Sequence, residues 1–212
     1  KLTAFLANKS DSELIVFIAN GDSFVIEKPM SKLETTTQGY AVERIENNLR
    51  EVIEIKDFFL SNPADRHGIK DVTVFDNHVY VGHTDKLENS NCTVASILKA
   101  KLKKELEFRK VFETDCIDLK NGQEGETAAH MVGARLVPTQ KSIYFSVGML
   151  NNFLLPQNDN TNFGKILSIE ASEPIDESNN KSKLEATHIA KGVRNPQGLA
   201  KCGNNLFYSS HG

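Results

Sequence analysis

The sequence predicts an all-β protein assembled from repeated hairpin units. Short β-rich runs alternate with turn residues, three of these runs share one layout at even spacing, and the stretches between them have loop composition. The first run opens at Gly68, continues through Ile69 to Phe75, turns at Asp76-Asn77 and returns through His78 to Val81 with an aromatic at Tyr80. The same form recurs from Gly133 through Lys141-Ser142-Ile143-Tyr144-Phe145, and from Gly198 through Gly203-Asn204-Asn205-Leu206-Phe207-Tyr208. The glycines at 68, 133 and 198 stand 65 residues apart. That interval exceeds the roughly 40–50 residues of compact β-repeat units, so each unit is expected to carry loop insertions. The chain divides as a single domain, with first strands and a helical or loop insertion over 1–67, then units 68–132, 133–197 and an incomplete 198–212.

Leu14-Ile15-Val16-Phe17-Ile18-Ala19, then Asn20-Gly21-Asp22, then Ser23-Phe24-Val25-Ile26 reads as a hairpin, because Asn-Gly supplies the positive φ of a tight turn. The first of these runs is apolar on both faces, as a buried strand would be. From Ala41 to Leu60 the apolar positions Val42, Ile45, Leu49, Val52 and Ile53 recur at three and four residues, which predicts an amphipathic helix. Alternation over Val52-Ile53-Glu54-Ile55 keeps a strand open there, and Asn62-Pro63 ends the element.

Thr93 to Leu98 and Lys110 to Thr114 read as outer strands joined through the charged stretch from Lys99 to Arg109. Leu98, Leu102 and Leu106, four residues apart, allow a helix in that stretch instead. Residues 151–162 and 170–183 are rich in Asn, Asp, Ser and Pro, which is loop chemistry.

With 39% hydrophobic residues over 212 positions, the chain can bury one sizeable core. Lys and Arg number 25 against 28 acids, so there is no basic field for nucleic acid or an anionic membrane surface. Apolar runs such as Leu14–Ala19 are far too short to span a bilayer. No signal-peptide pattern is visible, although the chain opens at Lys1 as a processed product would. Cys92, Cys116 and Cys202 lack the close pairing of a zinc or redox motif, and an odd count leaves at least one free thiol in a monomer. Sequons at Asn8, Asn91 and Asn180 matter only in a eukaryotic secreted protein.

Four segments in the second half carry chemistry. They are His130-Met131-Val132-Gly133-Ala134-Arg135-Leu136, Gly164-Lys165-Ile166-Leu167, Arg194-Asn195-Pro196-Gln197-Gly198-Leu199 and His211-Gly212. In this order they resemble the soluble, PQQ-dependent sugar dehydrogenases of the glucose/sorbosone dehydrogenase family. That resemblance is clear from His130 onward, fades between Gly68 and Asp118, and is not visible before residue 60. It implies a six-bladed β-propeller, of which this chain would be the N-terminal half, about three blades of four-stranded antiparallel sheets with loop or short helical insertions. It also implies oxidation of an aldose at its anomeric carbon, with hydride passing to PQQ, an external electron acceptor and a periplasmic or secreted location.

The resemblance assigns His130 as the general base, Arg194 and Asn195 as cofactor-polarising donors, and His211-Gly212 as the turn whose backbone oxygens bind calcium, with His211 on the cofactor side and Gly212 on the metal. The chemistry agrees with these roles. Imidazole takes a proton near neutral pH, a guanidinium beside an amide stabilises charge developing on oxygen, and carbonyl oxygens suit a hard cation. Pro196 and Gly198 would hold the Arg-Asn pair in place. Arg135 lies within a strand pattern and reads as structural, while His67, His78, His83 and His188 have no motif around them.

The family's later blades would carry further basic cofactor contacts beyond residue 212, so the 212 residues alone are expected to be inactive and to associate through an open propeller edge. Two positions depart from the family pattern, Ala129 before the histidine and Met149 after Val147-Gly148, where many members have Asp. Gln157 answers in place to a family glutamine, with no role carried over. These departures favour an alternative, a propeller that has lost catalysis and binds a protein or carbohydrate partner.

Overall fold

The structure, a computed structural model, describes residues 3–28, 41–53, 67–87, 92–118, 129–171 and 184–211. The predicted N-terminal hairpin is present as β2 (Glu13–Ile18) and β3 (Ser23–Glu27), with Gly21 at φ 91° in the turn between them. β1 (Ala4–Asn8) and β4 (Val42–Asn47) complete an antiparallel sheet in the order β1-β2-β3-β4.

The predicted helix over 41–60 is corrected by this sheet. Val42 to Asn47 is strand, with Ile45 opposite Ser23, and only Leu49–Val52 (α1) is helical; residues 54–60 lie outside the described ones. The helical spacing has a different origin. Ile45, Leu49 and Ile53 all reach one core, the first from a strand and the others from a single helical turn and its end.

The second sheet holds β5 (Gly68–Phe75), β6 (His78–Lys86) and β7 (Cys92–Lys101), with β9 (Arg109–Glu113) and β10 (Ile117–Asp118) both on the far side of β7. The alternative helix around Leu102 does not form. β7 runs on to Lys101, and β8 (Glu105–Leu106) crosses to pair in parallel with β4, so Leu98 and Leu106 meet in the core from two strands. Cys92 and Cys116 form a disulfide across this sheet, and Cys202 is free and exposed. The third sheet is β11 (Gly133–Pro138), β12 (Ser142–Val147), β13 (Lys165–Glu170) and β14 (Ala186–Lys191); β15 (Pro196–Cys202) and β16 (Asn205–Ser210) make a hairpin.

β1 lies beside β5, β5 beside β11, and β11 beside β15. The first strands of successive sheets therefore line one inner wall, and the sheets stack face to face as propeller blades. Alternate residues of the middle strands feed different cores. Val79 and Val81 pack towards the first sheet with Phe17, Leu98 and Phe108, whereas Tyr80, Ala95 and Ile97 pack towards the third with Phe145, Phe163 and Leu167. Strands buried on both faces read as unbroken apolar runs. The described chain forms three blades and the first hairpin of a fourth.

Gly68 and Gly133 open β5 and β11 at φ 123° and 75°, but Gly198 lies inside β15. The register places its counterpart two to three residues earlier, because the turn pair Phe75–His78 corresponds to Cys202–Asn205.

Three of the inner strands are bulged near their starts, with Lys70 skipped in β5, Ala134-Arg135 in β11 and Gln197 in β15, whereas β1 pairs with β2 without interruption. A bulge leaves ladder groups unpaired. Arg135 supplies the missing partners, donating from Nη1 to the Lys70 carbonyl and from Nε to the Gln197 carbonyl, each at 2.9 Å. Asp71 answers from β5 by accepting the Leu136 N–H at 2.9 Å. The guanidinium thus stitches three blades at one level.

His83 sits opposite Ser96 in the ladder, fully buried, with neither ring nitrogen hydrogen-bonded. His67, also buried, reaches Thr93 Oγ1 at 3.1 Å. Burial, and then the positive charges of Lys110, Lys70 and His67, push the His83 pKa from 6.5 down to about 3.

Two stability predictions follow from these groups. Arg135→Met leaves two blade-joining carbonyls without a charged donor and should cost roughly 2–4 kcal/mol, read as a lower denaturant midpoint. For His83 the folded pKa lies below the unfolded one, so its contribution is complete above pH 6.5 and is lost as pH falls towards 3. The full loss is on the order of 4–5 kcal/mol, and His83→Leu should flatten the pH dependence of the denaturation midpoint across that window.

Candidate active site

The segments singled out in the sequence meet at the mouth where the inner strands begin. Ala129–Val132 is a 3₁₀ turn leading directly into β11, and it contains His130, whose side chain lies outside the described part of the structure. After β12 the chain turns through Gly148, Met149 and Leu150, and Val193 to Asn195 leads into β15. His211 follows β16, and Gly212, expected on the metal side, lies outside the described residues.

Backbone hydrogen bonds lock these pieces together. Gly148 N donates to the Val132 carbonyl and Met149 N to the Arg194 carbonyl, both at 2.8 Å, and His211 N donates to the Asn195 carbonyl at 2.9 Å. Gly148 is the point of closest approach: a Cβ there would stand 1.9 Å from the Met131 carbonyl oxygen and 2.8 Å from that of Arg194. Only a residue without a side chain lets the His130 turn and the Arg194 segment come this near. Gly133 makes the next such contact, where a Cβ would lie 2.1 Å from the Pro196 carbonyl oxygen. The chain therefore brings the backbones carrying His130, Arg194, Asn195 and His211 to one end of the blades.

The donors at this mouth are underused. Arg194 is half-buried, no carboxylate pairs with it among the described residues, and its Nε is buried without a hydrogen-bond partner. Its Cζ lies 5.9 Å from the centroid of Phe153, a ring itself 64% exposed. Asn195 is buried, with its Oδ1 accepting from Gln197 Nε2 and its backbone N–H donating to Ser210 Oγ at 3.3 Å. That use of Oδ1 directs the Asn195 Nδ2 donor elsewhere. A guanidinium and an amide with no acceptor for these donors among the described residues suit an external, electron-rich oxygen.

Of the other histidines, His78 Nδ1 bonds the Asp76 carbonyl at 2.6 Å, and His188 Nε2 meets Asn162 Oδ1 at 3.1 Å. Met149 is buried beside the site, and Gln157 is exposed near Gly192. Phe153 was not foreseen, since it sits in an Asn-rich loop with no periodicity to mark it. The signal for Gly148 was present in the Val147-Gly148 pair but pointed to no contact.

A blade arc whose inner-strand mouth gathers unpaired polar donors defines a β-propeller with a polar site at one face. The chain belongs to the glucose/sorbosone dehydrogenase family, whose model matches residues 12–212. Its fold is similar to the crystal structure of the soluble aldose sugar dehydrogenase from Escherichia coli in the apo form, with a TM-score of 0.60 at 16% identity. All of this chain is covered in that comparison, and it spans 61% of the length of the other. No curated protein gives a significant match.

Gly148→Ala tests the junction. The added methyl meets two backbone carbonyls that cannot swing aside, so the variant should lose about 1–3 kcal/mol of stability and separate the Met131 and Arg194 backbones. Denaturant midpoints and a crystal structure of the variant check both.

Proposed function

We propose that the protein works as a PQQ- and calcium-dependent dehydrogenase that oxidises an aldose at its anomeric carbon. The observation that carries this reading is the Arg194 guanidinium, with a buried, unpartnered Nε beside the buried Asn195. Family membership supports sugar oxidation. The donor set fits a quinone bearing carboxylates, because permanent positive charge and amide N–H groups meet oxygen acceptors. Bound PQQ would supply the two-electron acceptor that side chains lack.

In this reading Arg194 and Asn195 would hold the cofactor and donate to its oxygen from a backbone already fixed in place. His130, on the turn beside Gly148, takes the proton of the sugar's anomeric hydroxyl. Calcium rests on the resemblance at His211-Gly212. Backbone oxygens of that turn would hold it, which suits a hard cation.

The Cys92–Cys116 disulfide supports a periplasmic or secreted location, since such bonds persist in oxidising compartments. Phe207 and Tyr208, 56% and 48% exposed on the β15–β16 hairpin, support cover by further blades or another copy, and the 212 residues alone would then be inactive. An external electron acceptor completes the cycle. Met149 favours a second reading, a catalytically silent binder of a protein or carbohydrate, because it buries a thioether at a mouth where the family resemblance implies a carboxylate.

The test is a dye-reduction assay on the full-length protein with an aldose, with and without added PQQ and calcium. Turnover should require both. His130→Ala should lower it by about 10²–10⁴-fold while PQQ affinity holds, and Arg194→Ala should weaken both. Absence of any PQQ binding by absorbance titration would exclude the dehydrogenase and leave the binder.

A further inference from the structure

The Gly164-Lys165-Ile166-Leu167 segment has no chemical part in the reading above, yet it holds the most deeply buried cation of the third blade. Lys165 is fully buried at the start of β13. No carboxylate lies within ion-pair distance of it among the described residues. Its ammonium instead donates to three carbonyls, those of Leu155, Pro156 and Phe163, each at 3.0 Å. An ammonium has three N–H donors, and here all three are used.

Two of these carbonyls belong to the 3₁₀ turn Leu155–Gln157 in the loop between β12 and β13. The Leu155 carbonyl also accepts the Asn158 N–H at 3.1 Å that caps the turn, so the ammonium adds a second, charged donor to an acceptor already in use. Pro156 is also where the Arg194 segment is tied down. Its carbonyl accepts Gly192 N at 3.1 Å, and the next residue, Val193, donates its N–H to the Gly164 carbonyl at 3.1 Å. Gly164 itself packs so closely on Pro156 that a Cβ would fall 2.5 Å from the proline Cα. Phe153, the ring flanking the Arg194 guanidinium, is two residues ahead of Leu155 on the same loop.

We propose that Lys165 is a positioning residue for Arg194: its ammonium pins the 155–157 turn, and that turn sets both the Gly192–Arg194 backbone and the Phe153 ring against the guanidinium. The functional consequence rests on the cofactor role proposed for Arg194. The positional consequence does not. No other side chain brings three convergent donors on a slender stem into so closed a space, since the guanidinium of arginine is a planar fork. Lys99 is an informative contrast. It too is buried and donates to a carbonyl, that of Ala171 at 2.9 Å, but that carbonyl follows the end of β13 away from the mouth and is shared with the Tyr80 hydroxyl.

The experiment compares Lys165→Met and Lys165→Gln with Lys99→Met in the full-length protein. Its main readout is the Arg194 Nε–H signal in a ¹H–¹⁵N spectrum, assigned by its loss in Arg194→Ala. In the unsubstituted protein that signal should be shifted by the Phe153 ring current and exchange slowly with water. Both Lys165 variants should move it and speed its exchange, whereas Lys99→Met should lower stability and leave it in place. Turnover of the loaded enzyme should fall by about 10–100-fold in the Lys165 variants. An Arg194 signal unmoved in a folded Lys165 variant overturns the proposal. So does free exchange of the Gly192 amide in the unsubstituted protein, a measurement that needs no variant to fold. If the Lys165 variants move the signal while Arg194→Ala leaves PQQ affinity intact, the positioning role stands and the cofactor role of Arg194 falls.

Discussion

The arrangement of the blades depends on one guanidinium. Inner strands that begin with a bulge can twist sharply around a common wall, but each bulge leaves carbonyl groups turned away from its own ladder. Arg135 takes those of Lys70 and Gln197 on either side, and Asp71 takes the N–H of Leu136 in return. Burial pushes the Asp71 carboxyl upward, while the Leu136 N–H and the Arg135 charge hold it down. Charged donors and acceptors therefore fix the angular relation between blades at the level of the mouth, and the apolar cores between sheets fill in beneath them. Hydrophobic packing alone is non-directional and would leave that relation loose.

The mouth inherits its precision from this stitching. Arg135 is five residues after His130 and reaches across to Gln197, three residues after Arg194, so the tie between blades runs directly under both segments. Gly148 then closes the gap from the third side. The site is built from backbone contacts first, and side chains occupy what those contacts leave open. Such a frame can hold an unpaired guanidinium in place without a salt bridge, which leaves its donors free for a bound oxygen.

Local features of the chain were legible in the sequence. The Asn-Gly hairpin, the Gly68 and Gly133 strand starts and the β-rich runs of the middle blades all appear as read, because turn chemistry and residue alternation act over a few neighbours. Spacing misled where it was satisfied by something other than a helix. Ile45, Leu49 and Ile53 share a core through a strand and one turn, and Leu98 and Leu106 share it through two strands that pair with different sheets. The even glycine interval also concealed an offset at Gly198, since a hairpin register, not a glycine count, sets the equivalence.

The sequence by itself determined an all-β chain of repeated hairpins and the segments that carry His130, Arg194, Asn195 and His211, because these depend on residue type and short spacing. Only the tertiary structure decided which groups meet. The Arg135 contacts span 62 and 65 residues, and the approach of Gly148 to Met131 and Arg194 and the Phe153 ring beside Arg194 likewise join separate segments. Those meetings are set by how bulged strands twist and how blades stack, a property of the inner wall that no short window of residues contains.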